Sequence, residues 1–321
     1  MADPGRRLRL AGSVGWAAAM AAVAAGLALS PELRTLAEGA FGELTWGAVL
    51  ATVPAQIAAT LLCAAALQVL GPGVSFGASV LSRVLRDAGG NLLVVVPGLG
   101  ELIGGRALVL AGGTARAAVA ASALDVLAES VAQVPFVLLA LAVLPRLVGR
   151  PRLDRGALAW GGIGLIAAIL FGLVIWWTVR RPGAAVLAGV LRRRWAEAGA
   201  AWRRRSGAMP AAIGIHFAAW FMGGLQVWLA ARALGMPLGL VGAIVLESAG
   251  YAVRAILFFV PAGVGVQEGG FIVAGLALGL GREQALALSL TLRARDVLLG
   301  VPVLALWPVI EWRTGRRVTT R

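Results

Sequence analysis

Stretch after stretch of this chain runs for about 20 residues with almost no charge, the length a helix needs to cross roughly 30 Å of hydrocarbon. In lipid the backbone must satisfy its own hydrogen bonds, so such stretches are restricted to helices. The candidate spans are 10–30, 45–70, 117–144, 157–179, 211–234, 239–260 and 284–310. With 60% hydrophobic residues and a mean hydropathy of +0.87, a soluble fold could not cover the apolar surface. The expectation is an all-α polytopic membrane protein forming one integral membrane domain over 1–321. It divides into a first half (about 10–156), a basic loop at 180–209 and a second half (about 211–312). The count is about seven to eight transmembrane helices plus two embedded segments that break in the middle.

The breaks are the second constraint. The first reads Asn91-Leu-Leu-Val-Val-Val-Pro97-Gly98-Leu-Gly100-Glu101-Leu-Ile-Gly-Gly-Arg106, within 88–112. The second reads Leu257-Phe-Phe-Val-Pro261-Ala-Gly263-Val-Gly265-Val-Gln267-Glu268-Gly269-Gly270, within 261–281. Unwound backbone at membrane depth is tolerated only where it is buried in protein or lines a cavity. Paired breaks in two halves point to a transport site near the bilayer midplane, built here from two re-entrant segments. Pro97 and Pro145 are 48 apart and Pro261 and Pro308 are 47 apart, and Val134-Pro135 matches Val301-Pro302. These spacings raise an internal repeat, against chance matching in so biased a composition.

Arginine sets the orientation. The 180–209 loop carries Arg180, Arg181, Arg192, Arg193, Arg194, Arg203, Arg204 and Arg205 against Glu197, and Arg6, Arg7 and Arg9 precede the first span. Both are expected on the cytoplasmic side of a bacterial inner membrane, with the acidic 31–44 loop outside. The basic 145–156 loop conflicts with this, and the tail lands inside only if 261–281 crosses completely. Leu187, Leu191, Trp195, Ala198 and Trp202 share one helical face between arginine triplets, which suits an interfacial helix on anionic lipid. Net charge is +14 without a single lysine, and its place beside apolar spans argues against nucleic acid.

The cost of charge inside a membrane, about 2.5–3.5 kcal/mol per residue on insertion scales, makes each embedded charge a functional candidate. Asp125, Glu129 and Gln133 form a stripe at i, i+4, i+8; Glu247 and Arg254 lie two turns apart; Arg293, Arg295 and Asp296 sit in the last span. Arg106, Arg254, Arg293 and Arg295 are the candidates to bind an anionic headgroup. Gln267, Glu268, Asp296, Glu101, Asp125 and Glu129 line and balance the cavity. The bland alternative is a set of buried ion pairs tying helices together. A catalytic constellation is not expected: His216 is the one histidine, Cys63 the one cysteine, and no lysine is available for a nucleotide loop. No metal or cofactor is expected. Glycine-rich spans such as 211–234 leave a homodimer open.

Phe258-Phe-Val-Pro-Ala-Gly-Val-Gly-Val-Gln-Glu-Gly-Gly-Phe271, followed by Ala287-Leu-Ser-Leu-Thr-Leu-Arg-Ala-Arg-Asp-Val-Leu-Leu-Gly-Val-Pro302, resembles the lysylphosphatidylglycerol synthase transmembrane-region family, closest to its hopanoid-associated branch. Val96-Pro-Gly-Leu-Gly-Glu-Leu-Ile-Gly-Gly-Arg106 and Leu124-Asp-Val-Leu-Ala-Glu-Ser-Val-Ala-Gln-Val-Pro-Phe136 carry the same resemblance in the first half. It covers about residues 10–312 and implies a lipid flippase, with a hopanoid or phospholipid-like cargo and two re-entrant segments. The soluble transferase domain of larger family members is expected to be absent, so no enzyme activity is expected. An intramembrane headgroup transferase and a non-transporting assembly partner are the alternatives.

Overall fold

A computed structural model describes residues 31–93, 98–148, 207–256 and 266–318. The expected spans 10–30 and 157–179, the basic loop up to residue 206, and Pro97, Pro261, Gly263 and Gly265 lie outside the described residues. Among the described residues all regular structure is helical. In chain order the helices are α1 (Pro31–Glu43), α2 (Trp46–Val69), α3 (Phe76–Leu92), α4 (Leu99–Leu110), α5 (Ala115–Val148), α6 (Met209–Ala233), α7 (Leu240–Ile256), α8 (Val266–Ala277) and α9 (Arg282–Val318). Among the described residues, three regions are long and apolar enough to cross a membrane: Trp46–Val69, Ala115–Leu147 and Met209–Ala233.

The starts of the first-half helices follow from local sequence. Thr45 and Ser75 hold extended backbone, and their hydroxyls accept from the N–H groups of Ala48 and Ala78, capping α2 and α3. Gly112 and Gly279, with φ of 100° and 84°, end α4 and α8 in the left-handed region that glycine enters without strain.

Two equivalent halves emerge from the helix lengths. α2, α3, α4 and α5 have 24, 17, 12 and 34 residues; α6, α7, α8 and α9 have 25, 17, 12 and 37. Glu101 and Glu268, Gly112 and Gly279, Glu129 and Asp296, and Pro135 and Pro302 are each 167 positions apart. Gly71 and Gly235, both at positive φ after the first helix of each half, are 164 apart. Among the described residues, the first helices of the two halves form the broadest pairing. Ala66 and Leu70 at the end of α2 pack on Met209 and Ala212 at the start of α6, so the pair is antiparallel and the second half is inverted relative to the first.

Between those long helices each half folds back. In α3 and α4, Gly100 lies against Arg86 and Gly90 while Gly104 lies against Ser82, whose hydroxyl donates to the Gly104 carbonyl at 2.9 Å. Later residues of α4 thus meet earlier residues of α3: the two form a helical hairpin. A Cβ on Gly100 would sit 2.4 Å from the Arg86 carbonyl oxygen, so glycine is what permits the close approach. In the second half, Gly250 of α7 packs on Gly270 and Phe271 of α8.

The hairpins open at opposite ends of the bundle. Val74 and Val109, beside the outer ends of α3 and α4, pack with Leu67, Leu108, Ala118 and Ala121, at the end where α2 finishes. Met236, Leu238 and Leu280, beside the outer ends of α7 and α8, cluster with Ala40 of α1 and with Ala230 and Ala231 near the end of α6. At 17 residues, α3 extends about 25 Å, short of the hydrocarbon thickness.

Three expectations change. Residues 71–87 received no span, yet they supply most of α3; the break in 88–112 is the tip of a hairpin whose first arm starts at Phe76. The 31–44 segment is a helix rather than a loop, with Ala40 fully buried. The tail also needs no complete crossing by 261–281. Along α9, Glu283 meets Gly39, Gly300 meets Leu92 at the tip of the first hairpin, and Glu311 pairs with Arg106 on α4. Since α7 starts and α8 finishes at the Ala40 end, α9 runs from that end towards the Met209 end.

Candidate functional site

The first half holds a dense charge cluster. Arg83 of α3 grips Glu129 of α5 with both terminal nitrogens, at 2.7 and 3.2 Å, and its Nε reaches Asp87 one turn on. Arg86 shares the same acceptors: Nη2 to Glu129 at 2.8 Å, Nη1 to Asp125 at 3.1 Å and Nε to Glu101 at 3.4 Å. His216 of α6 closes the cluster, its Nε2 lying 2.9 Å from Asp125 Oδ1. Both guanidiniums are therefore occupied by carboxylates, the forked geometry that suits arginine and not lysine.

The second half holds a looser counterpart. Glu268, in the first turn of α8, accepts from Arg293 Nε at 3.0 Å. Arg295 donates to Asp296 from Nε and Nη2, at 3.2 and 2.7 Å, and from Nη1 to Gln226 of α6. Glu101 occupies the matching first turn of α4, so each hairpin places a carboxylate at a helix N-terminus, where the helix dipole favours it. Among the described residues no carboxylate lies within ion-pair distance of Arg254. Gln267 is buried beside Gly250.

Trp220 joins the two clusters. Its indole N–H donates to the Glu129 carbonyl at 3.3 Å, while its ring meets Tyr251 of α7 edge-on at 4.7 Å and stacks on Phe136 of α5. The arrangement links α5, α6 and α7.

Of the residues proposed from sequence, the structure gathers Glu101, Asp125 and Glu129 in one cluster and Glu268, Arg293, Arg295 and Asp296 along α8 and α9. Arg106 sits apart, half-exposed and paired with Glu311 at 3.0 Å. Gly98 is the left-handed N-cap of α4, and Gly269 has open space around its Cβ position. Sequence reasoning missed Arg83, Arg86, Asp87, Gln226 and Trp220. Their signal was available: Arg83, Arg86 and Asp87 at i, i+3, i+4 put three charges on one face of a helix that also carries Ser79 and Ser82.

Cys63, Glu129 and His216 bring three potential metal-ligand atoms within 4.8 Å of one another. Both Glu129 oxygens already accept from guanidiniums, and two arginines at this distance oppose a cation, so the group does not fit a metal centre.

Residues 10–303 match the family model described as the lysylphosphatidylglycerol synthase TM region. No curated protein and no solved structure matches the chain. The family match and the apolar helices establish a multi-pass helical membrane protein with a lipid-related role.

Proposed function

Because the chain belongs to the lysylphosphatidylglycerol synthase transmembrane-region family, we propose that it is a lipid translocator of the bacterial inner membrane, moving a polar lipid between leaflets. One observation carries this reading: two helical hairpins enter an inverted-repeat bundle from opposite ends, and each carries ion-paired charge, Arg86 with Glu101 in the first and Glu268 with Arg293 in the second. Inverted repeats with broken helices are the architecture in which a site at mid-depth is exposed alternately to each side.

The two clusters take different parts. In the first, Arg83 and Arg86 are held by Asp125, Glu129 and Glu101, which fixes the first hairpin to α5. In the second, Arg254 and Arg293 receive the headgroup, with Gln267, Glu268, Arg295 and Asp296 lining the path. Half-helix N-termini at Glu101 and Glu268 add positive potential toward an anion. Acyl or polycyclic tails stay in lipid while the headgroup passes. A hopanoid or related polar lipid is the cargo to try first, on the strength of the sequence motif at 258–271. The opposite placement of Ala40 and Met209 along α6 supports a cytoplasmic N-terminus with 31–44 outside.

Lipid profiling with and without the gene tests the reading. An unchanged total with altered distribution between membranes or leaflets agrees with translocation. A missing lipid species instead assigns the protein to headgroup chemistry.

A further inference from the structure

Glu247 of α7 is 3% exposed, and its Oε2 has no hydrogen-bond partner. Among the described residues it forms no ion pair either. Its surroundings explain why. From α6, Gly223 lies against it so closely that a Cβ there would be 3.0 Å from Oε1, and Gln226 is already taken by Arg295. From α9, Arg295 acts on it electrostatically, but its donors are directed to Asp296 and Gln226; Asp296 adds a second negative charge. From its own helix, the Tyr251 hydroxyl one turn on hydrogen-bonds the carboxylate, and Arg254 lies two turns away. The acids of the adjoining elements are engaged elsewhere: Glu129 and Asp125 of α5 by Arg83 and Arg86, Glu268 of α8 by Arg293. His216 of α6 faces Asp125.

The inverted repeat makes the mismatch explicit. Position 247 corresponds to position 83, 164 earlier, by the register that relates the starts of α3 and α7. Position 296 corresponds to 129. In the first half this pair is Arg83 and Glu129, a forked ion pair; in the second it is Glu247 and Asp296, acid beside acid. A buried carboxylate held by a neutral hydroxyl and by no ion pair is costly as an anion, and a proton removes that cost. Carboxylates so placed inside a membrane serve as proton relays.

We propose that Glu247 is a proton-binding site that couples lipid movement to a proton gradient, an extension that rests on the translocator reading. With the proton on, Arg254 is left to an anionic headgroup. With the proton off, the Glu247 carboxylate competes with the headgroup for that arginine. Headgroup and proton therefore favour each other's binding, and this coupling is reciprocal.

The test uses the full chain in proteoliposomes. Infrared titration is expected to show the carbonyl band of a protonated carboxyl, lost in Glu247→Gln and recovered in Glu247→Asp. Movement of a labelled anionic phospholipid is expected to accelerate several-fold under an imposed pH gradient in wild type and to ignore the gradient in Glu247→Gln. A wild-type spectrum without that band, or a band that persists in Glu247→Gln, overturns the proposal. So does lipid movement indifferent to the gradient in wild type. A titrating band with no lipid movement under any condition leaves the proton site standing and removes the translocator reading instead.

Discussion

Arg293 in α9 and Glu268 in the first turn of α8 are joined by a hydrogen bond of 3.0 Å from Nε to Oε1. The pair ties the second hairpin to the long helix that ends the chain, although the residues are 25 positions apart in sequence. It is the point where the motif at the second break meets the charge in the last span.

The first prediction concerns that pair. Hydrogen bonds to charged groups contribute about 1.5–3 kcal/mol, so losing the arginine weakens headgroup binding roughly tenfold or more. Arg293→Ala is expected to lower the rate of lipid translocation by that factor at subsaturating lipid, measured as the initial rate of label exchange between leaflets. Glu268→Gln retains shape and an acceptor oxygen, and a smaller loss is expected.

Arg83 tests stability. Truncating one partner of a buried pair costs about 3–5 kcal/mol, because the remaining charges stay buried. Arg83→Ala is expected to lower the thermal unfolding midpoint in detergent clearly, with Arg86 retaining part of the hold on Glu129. Arg83→Lys is expected to recover little, since one ammonium cannot serve both carboxylate oxygens in the forked geometry.

Gly100 tests the first hairpin. The Cβ of Gly100→Ala would meet the Arg86 carbonyl oxygen at 2.4 Å and the Gly90 nitrogen at 2.7 Å, both backbone atoms that cannot swing away. Overpacking of this kind costs about 1–3 kcal/mol, read as a lower unfolding midpoint. Gly77→Ala, where a Cβ meets nothing within 4 Å, is the control and is expected to stay within about 0.5 kcal/mol of wild type.

The long spans were legible because hydropathy reports them directly: 45–70, 117–144 and 211–234 fall within a few residues of α2, α5 and α6. The Asp125–Glu129 stripe was legible because helical spacing alone places both on one face. Hydropathy did not mark α3, because Arg83, Arg86 and Asp87 interrupt it; their i, i+3, i+4 spacing marks a helix face, but their partners on α5, about 40 residues away, are set by the fold. The expected span 239–260 coincides with α7 over Leu240–Ile256, and its last four residues lie outside the described residues. Pro135 and Pro302 hinted at the repeat, but the inversion is a matter of which helix ends touch, such as Leu70 with Met209, and no local pattern encodes that.

The most direct measurement of the central claim is leaflet exchange of a labelled anionic phospholipid in liposomes containing the purified protein. Wild type is expected to transfer the chemically unchanged label between leaflets well above protein-free liposomes, with Arg254→Ala and Arg293→Ala markedly slower. Exchange no faster than in protein-free liposomes, or recovery of a chemically altered lipid, would contradict the account.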